Sequence, residues 1–192
     1  MNPADPMIPD VLYPLSAFEA TGGGGAASVA FIEAEELTPP YRSLLAHDRD
    51  MTGTLEAFFG QPMNLRVRVR KLEGDALLRQ VTLVGADDGR LAEFGAIRID
   101  LSCFDGVARG LVIDGRIPLG RILREHGVAY ISNPSAYLKV TPGPILNEAL
   151  QVSGGPLYGR KNQLTTPTGQ TIAHIIEILP PLSADGPMHP HH

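Results

Sequence analysis

One stretch of the chain decides the fold: residues 65–101 read LRVRVRKLEGDALLRQVTLVGADDGRLAEFGAIRIDL. Its first six residues alternate apolar and basic side chains, which is typical of a half-buried β-strand. Two turn signals interrupt the stretch, Gly74-Asp75 and Asp87-Asp88-Gly89. Strands are therefore predicted over residues 65–70, 77–85 and 91–101. Because such short turns join antiparallel neighbours, we expect these strands to form an antiparallel sheet.

The segments on both sides of this stretch mix helices with strands. Helices are predicted over residues 40–47, over a following segment with Thr52 near its N-cap, over 117–126 and over 145–149. Further strands are predicted over residues 136–140, 157–165 and 170–179. The order of strands, then helices, then strands again favours an α+β domain with an antiparallel sheet.

Length and chain punctuation indicate one domain. The 192 residues suffice for one compact domain and are short for two. Prolines and the glycine run that begins at Gly22 predict a flexible lead-in over residues 1–26. The domain is predicted over residues 27–182, and a tail over 183–192 follows Pro180-Pro181.

Composition argues against several functional classes. The net charge is −5, whereas nucleic-acid-binding proteins usually carry a surplus of basic residues, so no nucleic-acid partner is predicted. No apolar run reaches the roughly 18 residues of a membrane span. The single cysteine, Cys103, cannot form an internal disulfide, which predicts a cytoplasmic protein. No Cys/His cluster or phosphate loop is visible, so neither a metal nor a cofactor is predicted. These observations favour a small-molecule site.

Arg79 is the most informative candidate for that site. Alternation places it on the same strand face as Leu77, Val81 and Leu83, where an unpaired guanidinium is costly. Its planar fork matches a carboxylate bidentately, so a ligand carboxylate is one partner that would satisfy it. A structural ion pair within the protein is the other.

Glu177 poses the same problem in the last predicted strand, which is apolar on both faces. Burial raises the pKa of a carboxyl group, which suits general acid–base chemistry. Glu177 could instead simply pair with Arg79 or another cation. Arg66, Arg68 and Arg70 share one face of their strand and are expected to be solvent-exposed.

Ordered short motifs over residues 41–181 resemble the chorismate lyase-like family, which includes enzymes of ubiquinone biosynthesis. The matching segments are Asp50-Met51-Thr52, Leu78-Arg79-Gln80-Val81, Pro118-Leu119-Gly120-Arg121, Gly159-Arg160-Lys161 and Glu177-Ile178-Leu179-Pro180. The resemblance implies an antiparallel sheet with helical flaps that close over a buried ligand.

The resemblance also implies a reaction and a set of site residues. A chorismate lyase eliminates pyruvate from chorismate and yields 4-hydroxybenzoate without a cofactor. Arg79 would bind the ring carboxylate, and Glu177 would act as the acid/base near the 4-hydroxyl group. Met51 and Leu119 would line the pocket, and Gly120 and Arg160 would be further substrate contacts.

Departures from the family pattern leave other functions open. Residues 94–99 lack the Ala-Arg-x-x-x-Pro pattern, and Pro142–Pro156 looks like an insertion. One alternative is a related lyase that gives another hydroxybenzoate. The other is a non-catalytic effector-binding module, since this fold also serves bacterial transcription regulators. Such modules follow a winged helix–turn–helix, which the first 40 residues do not suggest.

Overall fold

The computed structural model describes residues 10, 12–19 and 27–183. Most of the predicted tail, residues 184–192, and residues 1–9, 11 and 20–26 of the lead-in lie outside the described residues. The helices are α1 (Ser16–Glu19), α2 (Tyr41–Leu45), α3 (Met51–Phe59), α4 (Gly106–Asp114), α5 (Leu119–Glu125) and α6 (Pro144–Leu150). The strands are β1 (Ser28–Ile32), β2 (Met63–Glu73), β3 (Ala76–Gly85), β4 (Leu91–Asp100), β5 (Ile131–Thr141), β6 (Leu157–Thr165) and β7 (Thr171–Leu179).

All seven strands join in one sheet of order β1-β5-β6-β7-β4-β3-β2. Every neighbouring pair is antiparallel. The predicted α+β class with an antiparallel sheet is therefore confirmed. The hairpins β2–β3 and β3–β4 lie where the turn signals predict them, whereas the pairing of β4 with β7 joins distant parts of the chain.

Different helices cover the two faces of the sheet. Ile97 of β4 and Ile175 of β7 pack beneath α4 and α5. Their strand neighbours on the other face, among them Phe94 and Ile176, pack beneath α6. The predicted insertion over residues 142–156 contains α6, so it stabilises the face opposite α4 and α5. The remaining buried cluster joins α2 and α3 to the ends of β3 and β7.

The structure sharpens one local prediction and shows that another is wrong. Thr52 lies near the N-cap of α3, as predicted, and the N-cap itself is Asp50, whose side chain accepts a hydrogen bond from the Gly53 amide. The alternation of Arg66, Arg68 and Arg70 does not continue along one face, because a β-bulge between Val67 and Val69 shifts the register. All three arginines are exposed, as expected.

Several elements have no counterpart in the sequence-based prediction. Strand β1 extends the sheet beyond β5, and α4 covers the end of the sheet that carries Arg79. Within the predicted flexible lead-in, α1 is formed and Leu15 is fully buried in the cluster beneath α6. This part of the lead-in therefore contributes to the core.

Candidate functional site

The register of the sheet places Arg79 and Glu177 on one wall. Arg79 of β3 lies beside Ile97 of β4, and Glu177 of β7 lies beside Gly95 of β4. Ile97 and Gly95 point to the same face of β4, so Arg79 and Glu177 face the same side. Strand β4 alone separates their strands, a spacing of roughly 10 Å across the sheet.

Both side chains line a cavity between this wall and the first residues of α3 and α5. The cavity volume is about 70 Å³, several times the roughly 10–15 Å³ that one water molecule needs. Most of the lining is apolar, including Val81, Leu83 and Ile97. The cavity therefore suits a compact, mostly apolar molecule about the size of one substituted ring.

Arg79 is buried without a counter-ion in the described part of the chain. It is 2% exposed, its Nε has no hydrogen-bond partner, and its Nη1 lies 3.4 Å from the Val112 carbonyl oxygen. Burial lowers the pKa of Arg79 to about 10, so the group is still charged at neutral pH. The structural ion pair, one of the two alternatives for Arg79, is not formed.

The carbonyl end of α4 is the nearest source of negative potential for Arg79. The helix ends at Gly115, whose φ of +73° favours glycine. A Cβ at Gly115 would lie 3.1 Å from Val67 Cγ2 and 3.8 Å from Arg79 Nη1. The partial negative charge of this helix end offsets only part of the cost of a buried cation.

Glu177 has the counter-ion that Arg79 lacks. Its Oε2 accepts a hydrogen bond from Nε of Arg160, and both side chains are buried. Nη1 of Arg160 also donates to the carbonyl oxygens of Leu45 at 3.1 Å and His47 at 2.8 Å. Arg160 pairs directly with Glu177 in the sheet and so lies beside it on the same face. It fixes Glu177 and the loop before α3, but it is not among the residues that line the cavity, where a substrate contact is predicted.

Glu93 is a site residue that the sequence analysis missed. It lies on β4 two residues before Gly95, lines the same cavity and is 5% exposed. Burial, and then the charge of Glu177, raise the pKa of Glu93 well above 4.5. The available signal was a charged residue on a strand face whose other positions are Leu91, Gly95, Ile97 and Ile99, the pattern that singled out Glu177.

The cover of the cavity explains two of the motifs. Met51 and Leu119, the first residues of α3 and α5, line the cavity. Asp50 caps α3 and accepts a hydrogen bond from Nη1 of Arg124 in α5 at 2.6 Å. A Cβ at Gly120 would lie 2.7 Å from Asp50 Oδ1. Glycine is required there because the two helix starts approach each other so closely.

The described residues contain no group of three His, Cys, Asp or Glu side chains suited to a metal ion. In the same part of the chain, no helix combines the length and apolar character that crossing a membrane requires. The cavity instead offers one unpaired cation at one end, two carboxyl groups at the other and an apolar middle. Such an arrangement can orient a ring that carries a carboxylate and, at its far end, a polar substituent.

No protein-family model matches the chain, and no curated protein matches it. Among solved structures, PhnF from Mycobacterium smegmatis is 14% identical with a TM-score of 0.52, over 74% of this chain and 69% of that one. A GntR-family transcriptional regulator from Enterococcus faecalis is 10% identical with a TM-score of 0.42, over 81% and 90%. The ligand-binding domain assigned to a GntR-family regulator from Bordetella bronchiseptica is 14% identical with a TM-score of 0.46, over 61% and 85%. At these identities the similarity concerns the fold. It supports the fold that the family resemblance implies and does not bear on enzyme activity.

Proposed function

We propose that this chain is a binding domain for a small ring monocarboxylate, which it holds through Arg79 without transforming it. The observation that carries the proposal is the buried, charged Arg79 with an unpartnered Nε beside the cavity. A carboxylate is the group whose geometry matches a guanidinium fork.

The charges around the cavity favour one carboxylate rather than two. Glu177 is neutralised by Arg160 and Asp50 by Arg124, and Glu93 has a raised pKa. Arg79 is then the one cation lining the cavity, within the described residues, whose charge is unbalanced. A second ligand carboxylate would meet Glu177 and Glu93 and would find no unbalanced cation beside it, so the cost of its desolvation would not be offset.

Calorimetric titration with benzoate tests the proposal, with benzamide as the uncharged probe of the same shape. We expect the wild type to bind benzoate and to bind benzamide far more weakly. Arg79→Met should weaken benzoate binding by roughly 10-fold to 150-fold, since hydrogen bonds to charged groups contribute about 1.5–3 kcal/mol. Arg70→Met is the matched control, because Arg70 pairs opposite Arg79 in the sheet but is exposed.

Chorismate lyase activity is the second candidate function. The observation that favours it is the pair of carboxyl groups, Glu177 and Glu93, at the end of the cavity opposite Arg79. Loss of the enolpyruvyl ether from the ring and of the C4 proton gives pyruvate and 4-hydroxybenzoate, and aromaticity drives the reaction. Glu177 would accept the ring proton, while Arg79 would hold the ring carboxylate.

Pyruvate release distinguishes the two functions. Purified protein is incubated with chorismate, pyruvate is followed with a coupled dehydrogenase, and the aromatic product is identified by chromatography. The binding-domain proposal predicts no pyruvate above the spontaneous rate. Pyruvate that accumulates with wild type and is lost in Glu177→Gln would establish the enzyme, and the product would show which hydroxybenzoate forms.

A further inference from the structure

Glu93 occupies a position with no partner of its own. It is buried on β4 and lines the cavity, yet none of the other described residues forms a hydrogen bond or an ion pair with its carboxyl group. A Cβ at Gly95 would lie 3.5 Å from Glu93 Oε1. The carboxyl group of Glu93 therefore lies close to the gap that the missing side chain of Gly95 leaves in the cavity wall.

The nearest charged groups come from β7 and β6. Gly95 pairs with Glu177, so Glu93 and Glu177 are diagonal neighbours on adjacent strands, about 7–8 Å apart between Cα atoms. Arg160 is the cation of this group, and it is bound to Glu177 and to the carbonyls of the loop before α3. Arg160 thus pairs with Glu177 and acts on Glu93 only through its charge.

The protonation state of Glu93 follows from these surroundings. Burial and the charge of Glu177 raise its pKa, and Arg160 lowers it less. From the cover, Asp50 also faces the cavity, with its charge balanced by Arg124. Arg79 pairs with Ile97, four residues farther along β4 than Glu93. The balance keeps a proton on Glu93 above the pH at which an exposed glutamate loses it.

We propose that Glu93 is a specificity-determining residue, a neutral carboxylic acid that donates a hydrogen bond to an oxygen at the end of the ligand remote from Arg79. A ligand hydroxyl would satisfy both acidic residues, because it can donate to Glu177 and accept from Glu93. The inference rests on the proposed function, since Arg79 must first hold the carboxylate. It narrows the ligand class to ring monocarboxylates with a distal hydroxyl group.

The test compares 4-hydroxybenzoate with 4-aminobenzoate by calorimetry. Both carry the same carboxylate and have nearly the same size, but the amino nitrogen is a poor acceptor because its lone pair is delocalised into the ring. We expect the wild type to bind 4-hydroxybenzoate roughly threefold to tenfold more tightly, which corresponds to one neutral hydrogen bond. In Glu93→Leu, which removes the donor, the two affinities should become equal.

Glu93→Gln supplies a second, independent readout. Its amide N–H still donates but does not ionise, so we expect tight binding of 4-hydroxybenzoate that is unchanged from pH 5.5 to 8. The wild type should instead lose affinity as the pH rises and Glu93 loses its proton. Glu125→Gln, at an exposed position in α5, is the matched control and should behave as wild type.

The outcomes separate the two proposals. If the wild type binds neither probe, or if Arg79→Met binds both as well as wild type does, the proposed function is wrong. If binding requires Arg79 but the wild type does not discriminate between the probes, only the role of Glu93 is wrong. Equal pH profiles for wild type and Glu93→Gln would likewise overturn that role while leaving the carboxylate anchor intact.

Discussion

At the scale of single residues, Arg79 combines a structural cost with a proposed binding role. Its contacts are a 3.4 Å approach to the Val112 carbonyl and the negative end of α4. An unpaired buried charge destabilises the folded protein, and replacement by an apolar residue of similar volume often stabilises it. The unpaired charge of Arg79 thus lowers the stability of the folded protein at the place where a ligand anion would bind.

Arg79→Met is therefore expected to stabilise the ligand-free protein while it weakens carboxylate binding. Removal of the buried charge should add about 1–4 kcal/mol to the free energy of unfolding, which raises the melting temperature by roughly 2–15 °C for a chain of this size. Scanning calorimetry without ligand measures the change. A clear fall in melting temperature would mean that Arg79 has a structural partner.

Glu93 also lowers the stability of the folded protein, and its effect depends on pH. The unfolded state releases the Glu93 proton near pH 4.5, whereas the folded state, with its raised pKa, retains it to higher pH. Stability therefore falls as the pH rises from about 4.5 through the raised pKa. We expect Glu93→Gln to raise the melting temperature relative to wild type more at pH 8 than at pH 5. Equal gains at both pH values would show that Glu93 titrates normally.

Alternation along β3 and β7 was enough to identify Arg79 and Glu177, because a charge among apolar neighbours has few explanations. The same reasoning applies to Glu93, but Arg98 and Asp100 in the same strand make one further charge less conspicuous. The partner of Glu177 could not be predicted. Arg160 follows a turn-rich segment, and only the pairing of β6 with β7 brings it alongside.

At the scale of elements, α3 and α5 form one cover because two ion pairs join the helices. Asp50 binds Arg124, and Glu56 binds Arg121. Pro118-Leu119-Gly120-Arg121 is thus explained position by position: Pro118 is the N-cap, Leu119 lines the cavity, Gly120 leaves room for Asp50, and Arg121 pairs with α3.

Gly120→Ala should disrupt this cover, with Gly110→Ala in α4 as its matched control. A Cβ at Gly120 would approach Asp50 Oδ1 to 2.7 Å, whereas one at Gly110 would meet nothing within 4 Å. Alanine is the better helix former by about 1 kcal/mol, so Gly110→Ala should raise the melting temperature. Gly120→Ala should lower it and weaken benzoate binding. Similar effects of both substitutions would show that the contact with Asp50 is unimportant.

The elements that the sequence did not reveal have physical reasons in common. Helix α4, GVARGLVID, contains two glycines and a β-branched pair, which weaken its helical signal, and packing onto the sheet compensates for that. Strand β1 has exposed or half-exposed residues at every position, so no alternation marks it. The bulge in β2 depends on its pairing with β3 and leaves no trace in the sequence.

At the scale of the whole molecule, the cavity lies on one face of the sheet, while helices pack on the opposite face. Strands β3, β4 and β7 place the cavity residues on one face, and α6 and α1 fill the other. Turn signals predicted the hairpins of this sheet, but not the contact of β4 with β7 that unites Arg79, Glu93 and Glu177. That contact depends on the strand order, which local patterns do not encode.

The most direct measurement follows the Arg79 side chain itself. In ¹⁵N-labelled protein, the Nε–H resonance that Arg79→Met removes is assigned to Arg79 and monitored during titration with benzoate and then with benzamide. A buried N–H that gains a carboxylate partner shifts downfield, so we predict a saturable downfield shift with benzoate and none with benzamide. A resonance that stays in place while benzoate binds elsewhere on the protein would contradict Arg79 as the carboxylate anchor.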